Sequence, residues 1–277
     1  MQTELRLRII SGIILAAIVL AATWYGGLAF RLLAALIGLL IYYEWSTITR
    51  LQAENPLANI VGWIGQAAIA VAVVAASAGT ALVVLIVCFA VAIGFVLVDG
   101  TSRWFPTGVV YAGLTGIALA GLRGADSAGL VAMLFLFAVV WATDILAYFV
   151  GRAIGGPKLA PRISPGKTWS GAIGGAVSAV VAGSLVAYFL VPGGVLWAAL
   201  VALVLSACSQ SGDLFESFIK RRFGVKDSSH LIPGHGGVMD RVDGLIFACF
   251  AAFLLAGVFS LIKGGELMSL GAALFGV

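Results

Sequence analysis

Long apolar runs separated by short polar segments make up most of the chain. We count about nine runs close to the roughly 20 residues that a helix needs to cross a bilayer. They cover residues 9–24, 28–43, 58–76, 81–98, 109–122, 130–150, 171–191, 195–211 and 245–262. The strict alternation of apolar and polar residues that marks transmembrane β-strands is absent from these runs. The pattern therefore predicts an all-α fold, a polytopic helical membrane protein.

The two ends of the chain and one short run leave the number of crossings open. Residues 109–122 are short for a span, so about eight or ten crossings also fit the pattern. The tail LMSLGAALFGV is too short to cross and is expected to lie along the interface. The first run follows MQTELRLR, a start that a cleaved signal peptide also shows, but no clear A-x-A cleavage site comes after it. We therefore expect an uncleaved first helix.

Composition and charge agree with this interpretation. The mean hydropathy is +1.12 and 62% of residues are hydrophobic, against ~45–50% in soluble domains. With about nine crossings and a cytoplasmic N-terminus, only Arg31, Arg123 and Lys263 among the 16 Lys and Arg fall outside. This positive-inside bias explains the isoelectric point near 9.1 without a nucleic-acid partner. It predicts a protein of the cell (inner) membrane with polar loops 151–170 and 212–244 facing the cytoplasm.

Polar residues concentrate in the second half of the chain. Up to residue 125 the connections are short and chemically bland, such as SAGT and VDGTSRWFP. We therefore interpret residues 1–125 as transmembrane scaffold helices. Residues 126–277 are interpreted as a transmembrane catalytic region that carries both cytoplasmic loops.

The first polar loop contains PRISPGKT, whose end resembles a phosphate-binding P-loop. The position of the first P-loop glycine holds Pro161, and the segment follows a membrane span instead of a strand, so we reject a P-loop. A Gly-Lys-Thr segment that opens a helix still offers backbone N–H groups, a cation and a hydroxyl to a phosphate. An interfacial anchor role for Lys167 is the alternative.

Acidic residues within or beside apolar runs are the next candidates. A carboxylate at membrane depth is costly and usually faces the bundle interior. Asp144, Tyr148 and Arg152 share one helical face, and so do Asp213, Ser217 and Lys220. Both stripes lead toward the polar loops, so we favour function for them. For Glu44 and Asp99 we favour an interfacial position or structural pairing.

The strongest chemical pattern is KDSSHLIPGHGGVMDRVDG, which contains both histidines, His230 and His235. GHGG is a turn where backbone can approach a ligand closely. Asp240 and Asp243 are one helical turn apart. Paired carboxylates among many cations suit a divalent metal with phosphate groups. A basic loop on anionic lipid headgroups would explain the cations but not the acids, glycines and histidines.

The segment SFIKRRFGVKDSSHLIPGHGGVMDRVD resembles the defining motif of phosphatidate cytidylyltransferases, also called CDP-diacylglycerol synthases. The residues that match are Ser217, Lys220, Arg221, Lys226, Asp227, His235, Gly236, Gly237, Asp240, Arg241 and Asp243. DILAYFVGRAIGGPKLAPRISPGKTWSG is similar to a second shared region of that family. Its matching residues are Asp144, Tyr148, Gly151, Ser164, Pro165, Lys167, Thr168 and Gly171. Gly166 departs from the family, which often has lysine there.

The resemblance implies transfer of the cytidylyl group of CTP to phosphatidic acid with Mg²⁺, giving CDP-diacylglycerol and pyrophosphate. It implies that Asp213 and Asp240 hold the metal, with Asp144 and Asp243 nearby, and it leaves a second metal ion open. His235 would hydrogen-bond a phosphate, orient a metal ligand or serve the turn structurally. The residues expected to contact CTP or the lipid phosphate are Ser164, Lys167, Thr168, Ser217, Lys220, Arg221, Lys226, Asp227 and Arg241.

Two other function classes fit parts of the pattern. A CTP-dependent lipid kinase would transfer the γ-phosphoryl group and release CDP, and it needs a base beside its alcohol acceptor. A transporter would place ionisable groups near the bilayer midplane on several spans, whereas here they crowd into the loops. We expect the bilayer lipids, CTP and phosphatidic acid as partners, and we leave a homodimer open.

Overall fold

The computed structural model describes residues 2–262 and 269–276, with side chains described from residue 9 onward. The helices are α1 Gln2–Tyr25, α2 Gly27–Ile48, α3 Leu51–Glu54, α4 Pro56–Ala75, α5 Ala78–Asp99, α6 Trp104–Arg123, α7 Ser127–Ile154, α8 Trp169–Leu190, α9 Val195–Arg222, α10 Met239–Ile262 and α11 Leu270–Phe275. A single two-stranded hairpin, β1 Lys158–Ala160 and β2 Ser164–Thr168, is the only sheet in this described part. The predicted all-α membrane fold is confirmed.

Eight described helices are long and apolar enough to cross a membrane, namely α2 and α4 to α10. The described apolar part of α1, Ile9–Tyr25, is shorter than this criterion. The run that looked short in the sequence belongs to the 20-residue α6. The tail forms the six-residue α11, too short to span. Lys263 and residues 267, 268 and 277 of the tail lie outside the described residues.

The chain divides into two compact units. Unit 1 comprises Met1–Gly121 and Arg222–Arg241, and unit 2 comprises Leu122–Arg221 and Val242–Val277. The expected division into a scaffold and a catalytic region is a statement about chemistry, which compactness does not test, and it stays a prediction.

Unit 1 is held by aromatic side chains packed against glycines. The Tyr42 hydroxyl on α2 occupies the space where a side chain at Gly62 would lie, and the Trp45 indole does the same at Gly108. Trp45 Nε1 also donates to Trp104 O at 2.8 Å. Because the glycines let these rings approach, α2 packs closely on α4 and α6.

Unit 2 depends on small residues between α7 and α8. A Cβ at Gly171 would lie 2.6 Å from Ala147 O, and one at Gly175 would lie 2.8 Å from Thr143 O. Glycines four residues apart allow such backbone contact between membrane helices. Thr143 Oγ1 then donates to Ser206 Oγ at 2.9 Å, which links α7 to α9. This frame holds the helix ends that carry the polar residues.

The two segments predicted as polar loops contain regular structure. Helix α9 continues to Arg222 and α10 starts at Met239, so only residues 223–238 of the second segment lie between helices. No glycine or proline interrupts residues 213–222, so nothing in that sequence ends the helix early. In the first segment α7 runs to Ile154, and the hairpin pairs Lys158 with Thr168 before α8 begins.

Candidate active site

Unit 2 contains a cavity of about 620 Å³ bounded by α7, the hairpin, α8 and α9. A volume of this size falls within the range of roughly 300–1,000 Å³ that is usual for ligand pockets. Its ionisable and polar side chains are Asp144, Tyr148, Arg152, Lys158, Ser164, Lys167, Thr168, Gln210 and Asp213. Residues from the two predicted regions, one around PGKT and one beginning at Asp213, are thus brought to the same cavity.

An ion pair joins the hairpin to α9 inside this cavity. Lys167 Nζ lies 2.5 Å from Asp213 Oδ2, and the two side chains are 27% and 33% exposed. The pair therefore remains accessible from the cavity, where an anionic ligand can compete for the lysine. Ser217, one turn further along α9, donates a weak hydrogen bond from its Oγ to Asp213 Oδ1 at 3.4 Å.

The predicted stripe on α7 faces the same cavity. Arg152 Nη1 donates to Tyr148 Oη at 2.9 Å, which confirms that these residues share one helical face. Asp144, one turn before Tyr148, is exposed to the cavity and interacts electrostatically with Asp213, Asp243 and Lys167. Three carboxylates thus act on one another across the unit, and Lys167 supplies part of the opposing charge.

Lys220 forms an ion pair that was not predicted from the motif. Its Nζ lies 2.9 Å from Oε2 of Glu216, one turn earlier on α9, and the Glu216 side chain is 2% exposed. Asp243 also interacts with Glu216 and Lys220. Lys220 therefore neutralises buried acids of its own unit. The i, i+4 spacing of Glu216 and Lys220 was the available signal.

Thr168 and Ser170 shape the start of α8. Thr168 Oγ1 accepts from Gly171 N at 3.1 Å and so acts as the N-cap, while Ser170 Oγ donates to Gly155 O. The expected helix opening at the Gly-Lys-Thr segment is confirmed, with Gly166 and Lys167 in β2. Capping does not test the expected phosphate contact of Thr168, which stays a prediction together with those of Ser164 and Lys167.

In unit 1 the Asp240 carboxylate organises the polar segment before α10. Its Oδ2 accepts from Ser228 N, Ser228 Oγ and Gly237 N, each at 2.8 Å. Gly236 has φ +82°, which favours glycine, and a Cβ there would lie 2.8 Å from the same oxygen. Gly236 of the GHGG turn is therefore required by the approach of Asp240.

His235 is tied to the first helix. Its Nδ1 lies 2.9 Å from Ser11 Oγ, and the same hydroxyl lies 3.1 Å from Pro233 O. This contact fits the structural alternative for His235 and does not test a role toward phosphate. Besides Asp144, the exposed residues of the predicted set are Arg221, Lys226, Asp227 and Arg241.

Glu44 is the acidic residue whose hydrogen-bond partners could not be predicted from the sequence. It is fully buried near the end of α2 and accepts four hydrogen bonds, three from the polar segment 223–238 and one from Met239, the first residue of α10. The expected structural pairing is confirmed, whereas an interfacial position stays a prediction. Asp99, in contrast, ends α5 and is exposed. No motif connects Glu44 to residues about 190 positions later.

The described residues include no group of three or more His, Cys, Asp or Glu arranged to hold a metal. A magnesium ion nevertheless needs few protein ligands, because it usually binds through one or two carboxylates, waters and substrate phosphates. Asp144 and Asp213 offer such oxygens at the cavity. The donor chemistry of this cavity therefore fits Mg²⁺ bound together with a phosphate substrate.

Comparison with known proteins gives consistent matches along almost the whole chain. The Cytidylyltransferase family matches residues 6–259. A phosphatidate cytidylyltransferase of Brucella abortus (biovar 1, strain 9-941) is 44% identical over 94% of this chain and 96% of its own. One of Bacillus subtilis (strain 168) is 32% identical over 92% of this chain and 99% of its own. Over about half of each chain, one of Haemophilus influenzae is 45% identical.

Proposed function

Because the chain belongs to the cytidylyltransferase family and resembles its phosphatidate-specific members, we propose that it converts phosphatidic acid and CTP to CDP-diacylglycerol. A phosphate oxygen of phosphatidic acid forms a bond to the α-phosphorus of CTP, and the bond from that phosphorus to the β-phosphate bridging oxygen breaks. Pyrophosphate leaves with that electron pair. No redox partner is needed.

The observation that carries this proposal is the cavity of unit 2, where Lys167, Arg152 and Lys158 face the carboxylates Asp144 and Asp213. Cations are required there because a dianionic lipid phosphate must approach a polyanionic nucleotide. Carboxylates beside those cations are unexpected for phosphate binding alone. Their presence is explained by a divalent cation that binds with the nucleotide.

Mg²⁺ is the cofactor that we propose, and Asp213 and Asp240 keep the ligand roles that the resemblance implies. When bound, the ion would neutralise charge that develops on the phosphate oxygens. Asp144 and Asp243 add negative charge that helps to retain the cation. Lys167 stays beside Asp213 until a phosphate competes for its ammonium group.

The remaining residues bind and orient. The phosphate monoester of the lipid has a second pKa near ~6, so it is mostly ionised at neutral pH and needs no strong general base. Phosphoryl and nucleotidyl transfer depend mainly on positioning and charge stabilisation. Lys167, Arg152 and Ser164 would hold phosphate oxygens in the cavity. Exposed Arg221, Lys226 and Arg241 would screen the charge of the incoming anions.

We further propose that the protein lies in the cell (inner) membrane with this site on the cytoplasmic side. The support is the bias of Lys and Arg toward one set of segments and the supply of CTP in the cytoplasm. A site beside the cytoplasmic leaflet would let the lipid enter and the product leave without crossing water.

The test uses purified protein in detergent with phosphatidic acid, Mg²⁺ and CTP labelled separately at the α and γ phosphates. Label from the α-phosphate entering lipid, with the γ label released as pyrophosphate, is the expected result. Entry of the γ label into an added polyprenol would instead identify a kinase. If neither label moved while an active relative turned over, the proposal would be wrong.

A further inference from the structure

Glu44 is a charged side chain in an unfavourable place. It belongs to the apolar sequence IYYEWS of α2 and is 0% exposed. Burying an ionised carboxylate costs several kcal/mol or more unless hydrogen bonds compensate it. The oxygens of a buried carboxylate must therefore accept hydrogen bonds, and the donors to Glu44 indicate its role.

All four hydrogen bonds to Glu44 come from the polar segment 223–238 and the first residue of α10. Oε1 accepts from Ser229 Oγ at 2.6 Å and from Val238 N at 2.7 Å. Oε2 accepts from Met239 N at 2.6 Å, and Ser228 Oγ lies 3.1 Å from it. The four donors are neutral N–H and O–H groups, so dipoles satisfy the two carboxylate oxygens.

Two of these donors lie at the N-terminal end of α10. The first N–H groups of a helix lack partners within it, and the helix end carries partial positive charge. Glu44 satisfies Val238 N and Met239 N from a different helix. It thereby caps the start of α10, next to Asp240, from another helix.

Ser228 connects Glu44 to Asp240. The Ser228 hydroxyl lies 2.8 Å from Asp240 Oδ2 as well as 3.1 Å from Glu44 Oε2, so two carboxylates share its single proton. Gly237 gives independent support, because a Cβ there would overlap both Ser228 Oγ and Glu44 Oε1. The last glycine of the GHGG turn is therefore required by the position of Glu44.

We infer that Glu44 is a positioning residue for cytidylyl transfer: it holds Asp240 in place through Ser228 and through the start of α10. The inference rests on the proposed function. Glu44 need not contact a substrate. Its removal should disturb the polar segment while the apolar packing of unit 1 survives.

The main variant is Glu44→Gln, which keeps the shape but turns one acceptor oxygen into a donor facing another N–H or O–H. The reaction is followed with α-labelled CTP at several concentrations of Mg²⁺ and phosphatidic acid. We expect kcat to fall roughly 10–100-fold, the usual cost of losing a group that supports a ligand. The KM for phosphatidic acid should stay within about twofold, because the positioned residue is a metal ligand in our scheme. Glu44→Asp keeps the charge and should recover part of the loss.

Hydrogen exchange of the substrate-free protein supplies a readout that does not depend on turnover. In Glu44→Gln the amides of residues 223–241 should exchange faster, while those of α4 and α5 stay as in the unchanged protein. Glu54→Gln is the matched control, because Glu54 is exposed on the short α3. That variant should alter neither kcat nor exchange.

The outcomes separate the two proposals. Near-normal kcat in Glu44→Gln overturns the positioning role. Faster exchange throughout unit 1, with equal loss in Glu44→Gln and Glu44→Asp, reduces Glu44 to a general stabiliser and also overturns it. If the unchanged protein fails to transfer cytidylyl label, the proposed function fails instead, and local exchange in residues 223–241 still reports whether Glu44 orders that segment.

Discussion

Lys167 on the hairpin and Asp213 on α9 form an ion pair of 2.5 Å inside the cavity of unit 2. Their positions are 46 residues apart in sequence and belong to different predicted polar loops, 151–170 and 212–244. The pair brings PGKT and the start of the second loop segment to the same cavity. Because both side chains are partly exposed, the pair itself contributes only a few tenths to about 1 kcal/mol of stability, and its value lies in placing opposite charges beside a ligand.

Asp213→Asn should remove most turnover and leave the fold intact. The amide keeps the size of the side chain but loses the charge that we assign to metal binding. A loss on the order of 10²–10³-fold in kcat is typical when one group that stabilises developing charge is removed. Asp99→Asn, at an exposed helix end, is the control. Turnover of Asp213→Asn within twofold of the control would exclude a metal-ligand role.

Asp240→Asn should also abolish turnover, with the protein still folded in detergent. The amide oxygen can still accept the three hydrogen bonds that Oδ2 accepts, but the charge that we assign to metal binding is lost. Ser228→Ala removes only one of those donors and should lose less activity. The measurement is kcat together with a melting temperature. Near-normal kcat in Asp240→Asn would show that Asp240 does not bind metal.

Lys220 and Lys226 should behave differently, although both belong to the same motif. Lys226 is exposed, so Lys226→Ala should raise KM for CTP or phosphatidic acid and lower kcat/KM by roughly tenfold, the equivalent of about 1.4 kcal/mol. Lys220→Ala leaves the buried Glu216 without its 2.9 Å partner and should chiefly lower the melting temperature. Adding Glu216→Gln to Lys220→Ala should restore part of that stability. Equal melting temperatures for the two single lysine variants would contradict this distinction.

Gly175→Ala should destabilise unit 2. The added methyl group would meet Thr143 O at 2.8 Å, a backbone atom that cannot rotate away. Overpacking of this kind typically costs about 1–3 kcal/mol. The matched control is Gly257→Ala in α10, where the new Cβ meets no atom within 4 Å among the described residues, apart from its chain neighbours and its own helix backbone. Thermal unfolding in detergent compares them, and a melting temperature of Gly175→Ala at or above that of the control would contradict the close packing of α7 on α8.

The helices were predictable because a long apolar run has few alternatives in a membrane, where backbone groups must bond within their own segment. The ends were less predictable. Helix α9 continues to Arg222 because nothing in its polar end breaks a helix, whereas hydropathy marks only where the apolar residues stop. The start of α10 at Met239 depends on Glu44, a contact between distant positions that no local pattern contains.

The site shows the same contrast. Tyr148 and Arg152 were placed on one face by helical periodicity alone, and the structure confirms it. The ion pair of Lys220 with Glu216 was not predicted, because Lys220 was assigned to substrate and Glu216 is not a motif residue. Thr168 caps α8 through its hydroxyl, and its expected phosphate contact stays a prediction. Motif residues thus predict a region of the chain, whereas the partners of each side chain depend on packing.

The two longest helices, α7 and α9, have 28 residues each, and both line the cavity. A helix of that length extends about 42 Å, roughly 12 Å more than the hydrocarbon core of a bilayer. In a helix that crosses the bilayer, the extra turns would carry their polar residues to the height of the lipid headgroups. The lipid substrate would therefore arrive by lateral diffusion, and the rate would follow its mole fraction in the surface instead of its bulk concentration. Adding neutral lipid to a constant amount of phosphatidic acid lowers its mole fraction and would slow such an enzyme. Diluting the same sample with buffer lowers only the bulk concentration and would not.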